Sequence, residues 1–278
     1  MRQGTIDREM VKRLLVSRKN FENVRTTAAL LLAMENSPNT SIRDLAAIIE
    51  TDQELSNRIL KITNSGFYSF RQKIESVSHA IVLLGWNAIK MITLGSSLLA
   101  RMSATDRRLF NHSMRTAQIA RFLATEANFY KVEEITVVGL LHDFGKVIFE
   151  LFFPEKYARL RQYAVDHGLP SHVAERELFG IDHGELGGWT LEEWELPENI
   201  TDSVTLHHAF DRNTYHARKT AVIHVADVFA FATDYRGPVW EKVPELALEA
   251  LEVLRFSESD LRDLLIAIMK IRFDPIIM

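Results

Sequence analysis

The residues with the clearest capacity for chemistry are the adjacent His142 and Asp143, in the segment Gly139-Leu-Leu-His-Asp-Phe-Gly-Lys146. An imidazole nitrogen and a carboxylate oxygen can both ligate one divalent ion. Residues of the same two types precede and follow the pair. Together they make a set of candidate metal ligands: His112, His142, Asp143, His183, His207, His208 and Asp227. Because one ion takes about four to six ligands, the set suits one metal, or two metals with bridging groups.

The composition restricts the kind of metal site. The chain has no cysteine, so a thiolate site and a disulfide framework are both excluded, and His, Asp, Glu and water must supply the ligands. Such a site suits iron, manganese, zinc, nickel or cobalt, as one or two divalent ions. Asp227 lies in the apolar segment Ile223-His-Val-Ala-Asp-Val-Phe229. A carboxylate buried there needs a partner, and a metal is the natural one.

Each candidate also has an interpretation without a metal. His142 and Asp143 can end and cap a helix, and His183 can belong to an ordinary polar loop. His207 and His208 would lie about 100° apart on an ideal helix, so one would face the core and the other the solvent. A site with two metals would use both histidines. So would a site in which one histidine ligates a metal and the other donates a hydrogen bond to a substrate.

Two cations lie close to the candidate ligands in the sequence. Lys146 follows Asp143 by three residues and could hold a phosphate oxygen, although a lysine at a helix end is nearly as good an interpretation. Arg115 follows His112 by three residues, so both would lie on one helix face. This spacing fits a metal ligand beside a cation that holds an anion. A surface salt-bridge pair would have the same spacing. If the chain is an enzyme, we expect Asp143, Lys146 and Arg115 to be its catalytic residues.

The elements that must position these residues are predicted to be helices. Apolar residues recur at helical spacing almost throughout, and strand-like alternation is scarce, so we expect an all-α helical bundle. Thr40 or Ser41 can cap one helix, and Ser76 or Ser78 can open another that runs through Leu84. A break is expected at residues 36–39, and an aromatic cluster at residues 67, 68 and 70. Leu196-Pro-Glu198 opens a helix that leads to the histidine doublet.

The bulk properties are those of an ordinary globular protein. Of 278 residues, 47% are hydrophobic and 25% are charged, and the net charge is −4, which gives no support for nucleic-acid binding. The N-terminus has no apolar signal core, so we expect a cytoplasmic protein. Polar residues interrupt the apolar stretch at residues 77–100, which therefore indicates buried helices and not a membrane span.

The chain is predicted to have three parts. Histidines begin to recur at helix-like positions after residue 105, so we place a soft boundary at residues 101–105. The parts are an N-terminal helical subdomain (1–100), a helical core (101–240) and a C-terminal helical extension (241–278). No stretch rich in Pro, Gly and Ser lies at the first boundary, which indicates a change of subdomain and not a flexible linker.

Two sequence blocks in the N-terminal half form a pattern together. They are Asp52-Gln-Glu-Leu-Ser-Asn-Arg-Ile-Leu-Lys-Ile-Thr-Asn-Ser-Gly-Phe-Tyr68 and Ile74-Glu-Ser-Val-Ser-His-Ala-Ile-Val-Leu-Leu-Gly85. Both blocks resemble the HDOD domain, a branch of the HD superfamily related to the HD-GYP proteins. The resemblance covers roughly residues 20–230. It implies a helical bundle with an HD-like C-terminal core and a regulatory role in bacterial signalling, because HDOD domains are regarded as non-catalytic modules with degraded HD sites.

The chain differs from the HDOD pattern because its candidate ligand set is complete. It differs from the HD-GYP enzymes because their signature is missing. It is similar to active HD-type hydrolases at all of the candidate ligand positions. The Gly-Tyr-Pro signature of HD-GYP phosphodiesterases is absent after the doublet, where Ala209-Phe-Asp-Arg-Asn-Thr-Tyr215 stands, and the stretch from the doublet to Asp227 is short. Arg108 replaces an acid one turn before His112, which argues against a third metal.

Two functions follow as hypotheses. The first is a signalling module with a metal site in its core, acting on signalling proteins or on a phosphate-containing small ligand. The second is a metal-dependent phosphohydrolase that acts on a nucleotide or a phosphodiester. The family resemblance favours the module, and the complete set of ligands favours the enzyme.

Overall fold

The computed structural model describes residues 6–17, 41–64, 72–86, 89, 92–93, 106–194, 196–233 and 242–271. Within these ranges the regular structure is helical and contains no strand, which confirms the predicted all-α class. The expected break at residues 36–39, the aromatic cluster at 67, 68 and 70, and the boundary at 101–105 lie outside the described residues.

The described helices follow one another with short connections. In chain order they are α1 Arg8–Ser17, α2 Ile42–Glu50, α3 Gln53–Asn64, α4 Val77–Leu84, α5 Asp106–Glu126, α6 Val132–Leu141, α7 Phe144–Phe152, α8 Pro154–His167, α9 Ser171–Phe179, α10 His183–Glu193, α11 Glu198–Thr205, α12 Ala217–Thr233, α13 Leu248–Leu254 and α14 Glu258–Met269. Among these helices, none combines the length and the apolar character that crossing a membrane requires.

The chain folds into two compact units. The smaller unit is drawn mainly from Val16–Met102, and the larger unit joins Met1–Leu15 to Ser103–Ile271. The larger unit therefore combines residues from the beginning of the chain with most of its second half. The division into parts at residues 1–100, 101–240 and 241–278 stays a prediction.

The smaller unit begins and ends its helices with the residues that local chemistry favours. Ser41 caps α2, accepting from the backbone N–H of Asp44 while the Asp44 side chain accepts from the N–H of Ser41. Ser76 caps α4 by accepting from the N–H of His79. Gly85 follows α4 with a φ of +82°, a conformation that costs little only for glycine. Of the predicted alternatives, Ser41 and Ser76 are thus the capping residues, and α4 runs through Leu84 as expected.

In the larger unit, the longest of the described helices packs against two others. α5 packs on α6 and α12, while α10 packs on α7 and α11, and α12 also carries α13. The start of α10 is sharply defined, because Asp182 accepts from the N–H of Glu185 and the Glu185 side chain accepts in return from the N–H of Asp182. His183 is consequently the first residue of α10.

Candidate metal centre

The candidate ligands come from separate helices and meet inside the larger unit. His112 lies on α5, His142 and Asp143 at the junction of α6 and α7, and His183 at the start of α10. The doublet follows α11, and Asp227 lies in the middle of α12. All of these side chains are buried, with 4% or less of the side chain exposed at His208 and at Asp227. The structure therefore brings together every residue of the predicted ligand set.

The ligand atoms form two adjacent groups. In the four-residue group, Asp143, His183, His207 and His208 each place one ligand atom within 4.8 Å of the others, and in the three-residue group His112, His142 and Asp227 do the same. Asp143 also approaches the three-residue group, because its Oδ2 lies 3.5 Å from Nε2 of His142 and 3.7 Å from Nε2 of His112. One aspartate thus lies between the two groups, where a bridging carboxylate would be needed.

Three close approaches within the groups pair a histidine nitrogen with a carboxylate oxygen. Nε2 of His112 lies 2.9 Å from Oδ1 of Asp227, and Nε2 of His142 lies 3.3 Å from the same oxygen. In the other group, Nε2 of His183 lies 3.0 Å from Oδ1 of Asp143. Nitrogen and oxygen atoms from different helices therefore converge in each group, as the donor atoms of a metal site do.

Several buried nitrogen atoms of the candidate ligands lack a hydrogen-bond partner, which indicates that these side chains are arranged to bind a metal. Nε2 of His142, Nε2 of His207 and Nδ1 of His208 are buried and make no hydrogen bond of acceptable geometry within the described part of the chain. Buried polar atoms normally have a partner, because leaving one unpaired costs about 1–3 kcal/mol. A divalent ion would satisfy several of these lone pairs at once.

The opposite nitrogen of two histidines is held by the backbone. Nδ1 of His142 donates to the carbonyl oxygen of Gly139 at 2.7 Å, and Nδ1 of His207 donates to that of Val204 at 2.6 Å. Because a carbonyl only accepts, Nδ1 carries the proton in both rings. Each Nε2 is then left with a lone pair for a metal.

Both members of the doublet face inward because neither lies on a helix. α11 ends at Thr205, and the chain turns at Leu206, so the separation of about 100° expected on an ideal helix does not apply to residues 207 and 208. The two rings lie with centroids 4.0 Å apart. The predicted helix before the doublet is therefore shorter than its sequence suggested, and this brings both histidines into the four-residue group.

A close helix crossing brings Asp143 against His183. A Cβ atom on Gly145 would overlap the carbonyl oxygen of His183 and lie 2.8 Å from its Cα, so only glycine fits at this position of α7. From the other side, a Cβ on Gly187 of α10 would lie 3.1 Å from the backbone nitrogen of Gly145. Two small residues thus allow the backbones of α7 and α10 to approach each other.

The two predicted cations have different surroundings. Nζ of Lys146 donates to Oδ2 of Asp143 at 3.1 Å, and the buried lysine also lies over the ring of Phe231. Arg115 is buried as well, but its terminal nitrogens donate to the carbonyl oxygens of Ile268 at 2.9 Å and of Ile271 at 3.1 Å. Lys146 is therefore beside the candidate ligands as expected, whereas Arg115 holds the end of α14.

The surroundings keep both aspartates ionised. Burial raises the pKa of Asp143, but Lys146 and His142 lower it more, so that its pKa lies well below the usual range. Burial also raises the pKa of Asp227, and His112 and His142 more than compensate. Both groups are carboxylates near neutral pH, the form in which aspartate ligates a metal.

The histidines of the four-residue group are shifted in opposite directions. Burial, together with a smaller effect of His142, lowers the pKa of His207 to about 3. Burial also lowers the pKa of His183, but Glu175 and Asp143 on either side of the ring raise it to about 10. Without a metal, His207 is neutral and His183 is charged.

Two residues near the centre are not in the predicted ligand set. The half-buried ring of His172 stacks on His208 with centroids 4.1 Å apart and an interplanar angle of 14°. Glu175 is fully buried and accepts from Nδ1 of His183 at 2.6 Å. Their spacing of three residues on a helix was the available signal.

Comparison with solved structures shows the same fold in proteins of low identity. An HDOD domain protein of unknown function from Geobacter sulfurreducens aligns with a TM-score of 0.62 at 24% identity, over 91% of this chain and 92% of that one. A protein from Marinobacter aquaeolei VT8, provisionally named a signal transduction protein, gives 0.66 at 18% identity, over 92% and 59%. One from Shewanella amazonensis SB2B, provisionally named a metal-dependent phosphohydrolase, gives 0.56 at 18% identity, over 95% and 98%.

Comparison by sequence identifies the family. An uncharacterized protein of Treponema pallidum (strain Nichols) is 26% identical over 180 residues, or 63% of this chain, and the chain spans only 35% of the length of that relative. The family model of the HDOD domain matches residues 23–210, which is more than half of the chain. The chain therefore belongs to the HDOD domain family.

Proposed function

We propose that this protein is a bacterial regulatory module whose HD-like core binds one or two divalent metal ions. The observation that carries the proposal is the convergence of the four-residue and three-residue groups inside one helical unit. Iron, manganese, zinc, nickel and cobalt all suit histidine and carboxylate donors. The module would act on signalling proteins or respond to a phosphate-containing small ligand.

A metal ion bound by these residues would join the helices of the larger unit, which favours a regulatory role. The candidate ligands come from α5, α10, α12, the junction of α6 and α7, and the turn after α11, so a bound ion would cross-link most of the larger unit. Binding to the folded state alone stabilises it, by about 2.7 kcal/mol when the free ion is at 100 times its dissociation constant. Metal occupancy would thus control the rigidity of the surface that a partner protein meets.

A second candidate function, metal-dependent phosphohydrolysis, is favoured by one specific feature. Asp143 lies between two adjacent ligand groups, and Lys146 places an ammonium group beside it. Ions held there would supply the positive charge that activates water and stabilises charge developing on phosphorus. Lys146 would hold a phosphate oxygen, whereas Arg115 is bound to the end of α14 and is left out of this candidate site.

Metal analysis of the purified full chain tests the proposal. We expect one or two divalent ions per chain after reconstitution with each of the five metals in turn, and a clear loss in Asp143→Asn. Asp166→Asn, which changes an exposed aspartate on α8, is the matched control and should bind as the wild type does. A wild-type chain that binds none of the five metals would contradict both candidate functions.

A hydrolysis screen on the same samples separates the two candidates. Phosphodiesters and nucleotides are the substrates, and the metal-loaded wild type is compared with Asp143→Asn. Turnover that disappears in Asp143→Asn supports the phosphohydrolase. Metal binding without turnover supports the regulatory module.

A further inference from the structure

One face of α9 contacts the four-residue group from behind. His172 and Glu175 are three residues apart, a spacing that places two side chains on the same side of a helix. His172 touches His208, and Glu175 touches His183. This short helix therefore meets two of the candidate ligands at once.

Glu175 determines which nitrogen of His183 faces the centre. Its Oε2 accepts from the backbone N–H of His183 at 2.7 Å and from Nδ1 of the same residue at 2.6 Å. Because this oxygen accepts from the backbone N–H and from the ring alike, the proton of a neutral His183 is on Nδ1. Nε2, which lies 3.0 Å from Oδ1 of Asp143, is then the lone-pair donor that a metal needs.

The burial of Glu175 requires a reason of this kind. The residue is 0% exposed. Its Oε1 makes no hydrogen bond within the described ranges. A carboxylate in that environment is costly unless strong hydrogen bonds compensate. The two hydrogen bonds that Oε2 accepts from the backbone and the ring of His183 are the compensation that the structure offers.

His172 supports His208 through its ring face. The two imidazoles stack with an interplanar angle of 14°, and Nε2 of His208 is thereby presented 3.0 Å from Nε2 of His183. His208 follows the end of α11, and its ring packs between His172 and His207, with centroids 4.1 Å and 4.0 Å away. The flat side chain of His172 therefore helps to fix the orientation of this ring.

We infer that Glu175 and His172 are positioning residues that hold His183 and His208 in their metal-binding orientations. The inference deepens the proposed function and rests on it, because it needs a metal in the four-residue group. Loss of a hydrogen-bonding partner behind a ligating histidine commonly weakens metal binding by about 10- to 100-fold. We expect Glu175→Gln to fall in that range.

Titration of the metal-free full chain with Co²⁺ tests the role of Glu175. Co²⁺ is the probe because its visible absorption reports the number and arrangement of its ligands. Glu175→Gln should bind more weakly and with an altered spectrum, whereas Glu177→Gln, the same change at an exposed position of α9, should match the wild type. Circular dichroism of each metal-free variant verifies that it is folded.

The role of His172 is tested by a pair of substitutions. His172→Ala removes the stacked ring and should weaken Co²⁺ binding by about tenfold. His172→Phe keeps a flat ring and should restore affinity close to that of the wild type, a rescue that general loss of packing would not produce. This pair decides the inference if Glu175→Gln does not fold.

The outcomes distinguish the inference from the function on which it rests. If Glu175→Gln and His172→Ala bind Co²⁺ with wild-type affinity and spectrum while Asp143→Asn does not bind, the positioning role is overturned and the metal site stands. If the wild-type chain itself does not bind Co²⁺ or any of the other four metals, the metal site and the positioning role both fall.

Discussion

Each of two candidate ligands uses the end of a helix to orient its ring. His142 follows α6 and His207 lies just beyond α11, and both donate from Nδ1 to a carbonyl three residues earlier. The last carbonyls of a helix have no partner within it, so an imidazole can satisfy them and turn its other nitrogen away from the helix. The same local solution therefore appears twice in one centre.

At the residue scale, the buried ion pair between Lys146 and Asp143 should matter more than an exposed pair. Lys146→Met removes one partner of a pair whose side chains are both 2% exposed. Removing one partner of a buried ion pair costs about 3–5 kcal/mol, and His183 still compensates the charge of Asp143, so we expect the metal-free chain to lose about 3 kcal/mol of its free energy of unfolding. Urea denaturation in the presence of a chelator measures this change.

An exposed lysine provides the control for that prediction. Lys131 pairs with Glu134, and its side chain is 70% exposed, so Lys131→Met should cost less than about 1 kcal/mol. Equal losses in the two variants would mean that the buried pair contributes no more than a solvated one.

At the scale of elements, the distance between α7 and α10 decides whether Asp143 reaches His183. Gly145 and Gly187 face each other across this crossing. The glycines could be read from the sequence, but their meeting could not, because residues 145 and 187 belong to helices separated by two others. A helix pattern indicates which face is apolar and does not indicate which helix it will meet.

Substitutions at the two glycines should differ in severity. In Gly145→Ala the new methyl group overlaps backbone atoms of His183, which cannot rotate away, so we expect α7 and α10 to separate and metal affinity to fall. Overpacking of this kind usually costs about 1–3 kcal/mol or more. Thermal unfolding and Co²⁺ titration measure the two effects.

The matched variant lies on the opposite helix. In Gly187→Ala the new Cβ would lie 3.2 Å from Cγ1 of Val204 and 3.1 Å from the nitrogen of Gly145, a tight fit that small shifts can relieve. We expect a milder loss than in Gly145→Ala. If Gly145→Ala binds Co²⁺ with the same affinity as the wild type, the close crossing is not what assembles the centre.

At the scale of the whole molecule, the larger unit is completed by residues from both sides of its core. Ile6 is 1% exposed, and its N–H donates to the carbonyl of Phe179 at 3.1 Å. Near the other end of the unit, the N–H of Ala247 donates to Nε2 of His224, whose Nδ1 donates to the carbonyl of His207. The unit around the candidate centre therefore depends on segments that are distant in sequence.

The first of these segments should contribute measurably to stability. Ile6→Ala leaves a cavity in the larger unit, and we expect it to lower the free energy of unfolding by about 2–5 kcal/mol. Val165→Ala, at a position 49% exposed, should change it by no more than about 0.5 kcal/mol. Urea denaturation compares the two, and similar small effects would show that Ile6 contributes no more to this unit than an exposed side chain does.

The link through His224 should make stability depend on pH. Burial lowers the pKa of His224 below its usual 6.5, so the unfolded chain takes up a proton at a higher pH than the folded chain does. This contribution to stability is complete above about pH 6.5 and is lost as the pH falls through the folded-state pKa, with a slope of at most about 1.4 kcal/mol per pH unit.

Replacement of His224 tests that dependence. His224→Gln should be less stable than the wild type at pH 7.5, because the bonds to His207 and Ala247 are altered. Its further loss between pH 7.5 and pH 5.5 should be smaller than that of the wild type, since one titrating group is gone. Urea denaturation of the metal-free proteins at both pH values measures this, and an unchanged loss contradicts the role of His224.

Local information determined much of this protein from its sequence alone. Helical periodicity predicted the all-α class. Thr40 or Ser41, and Ser76 or Ser78, marked where two helices begin, because capping depends on neighbours within a few residues. The types of the candidate ligands indicated a metal without thiolate donors. The two sequence blocks indicated the HDOD family, which the match over residues 23–210 confirms.

Only the tertiary structure decided how these residues meet. It placed Arg115 at the end of α14, turned both histidines of the doublet inward, and brought His172 and Glu175 behind the candidate ligands. Such relationships depend on the crossing of helices and on where a turn ends, and both are set by packing between segments remote in sequence. Periodicity within one helix carries no information about that packing.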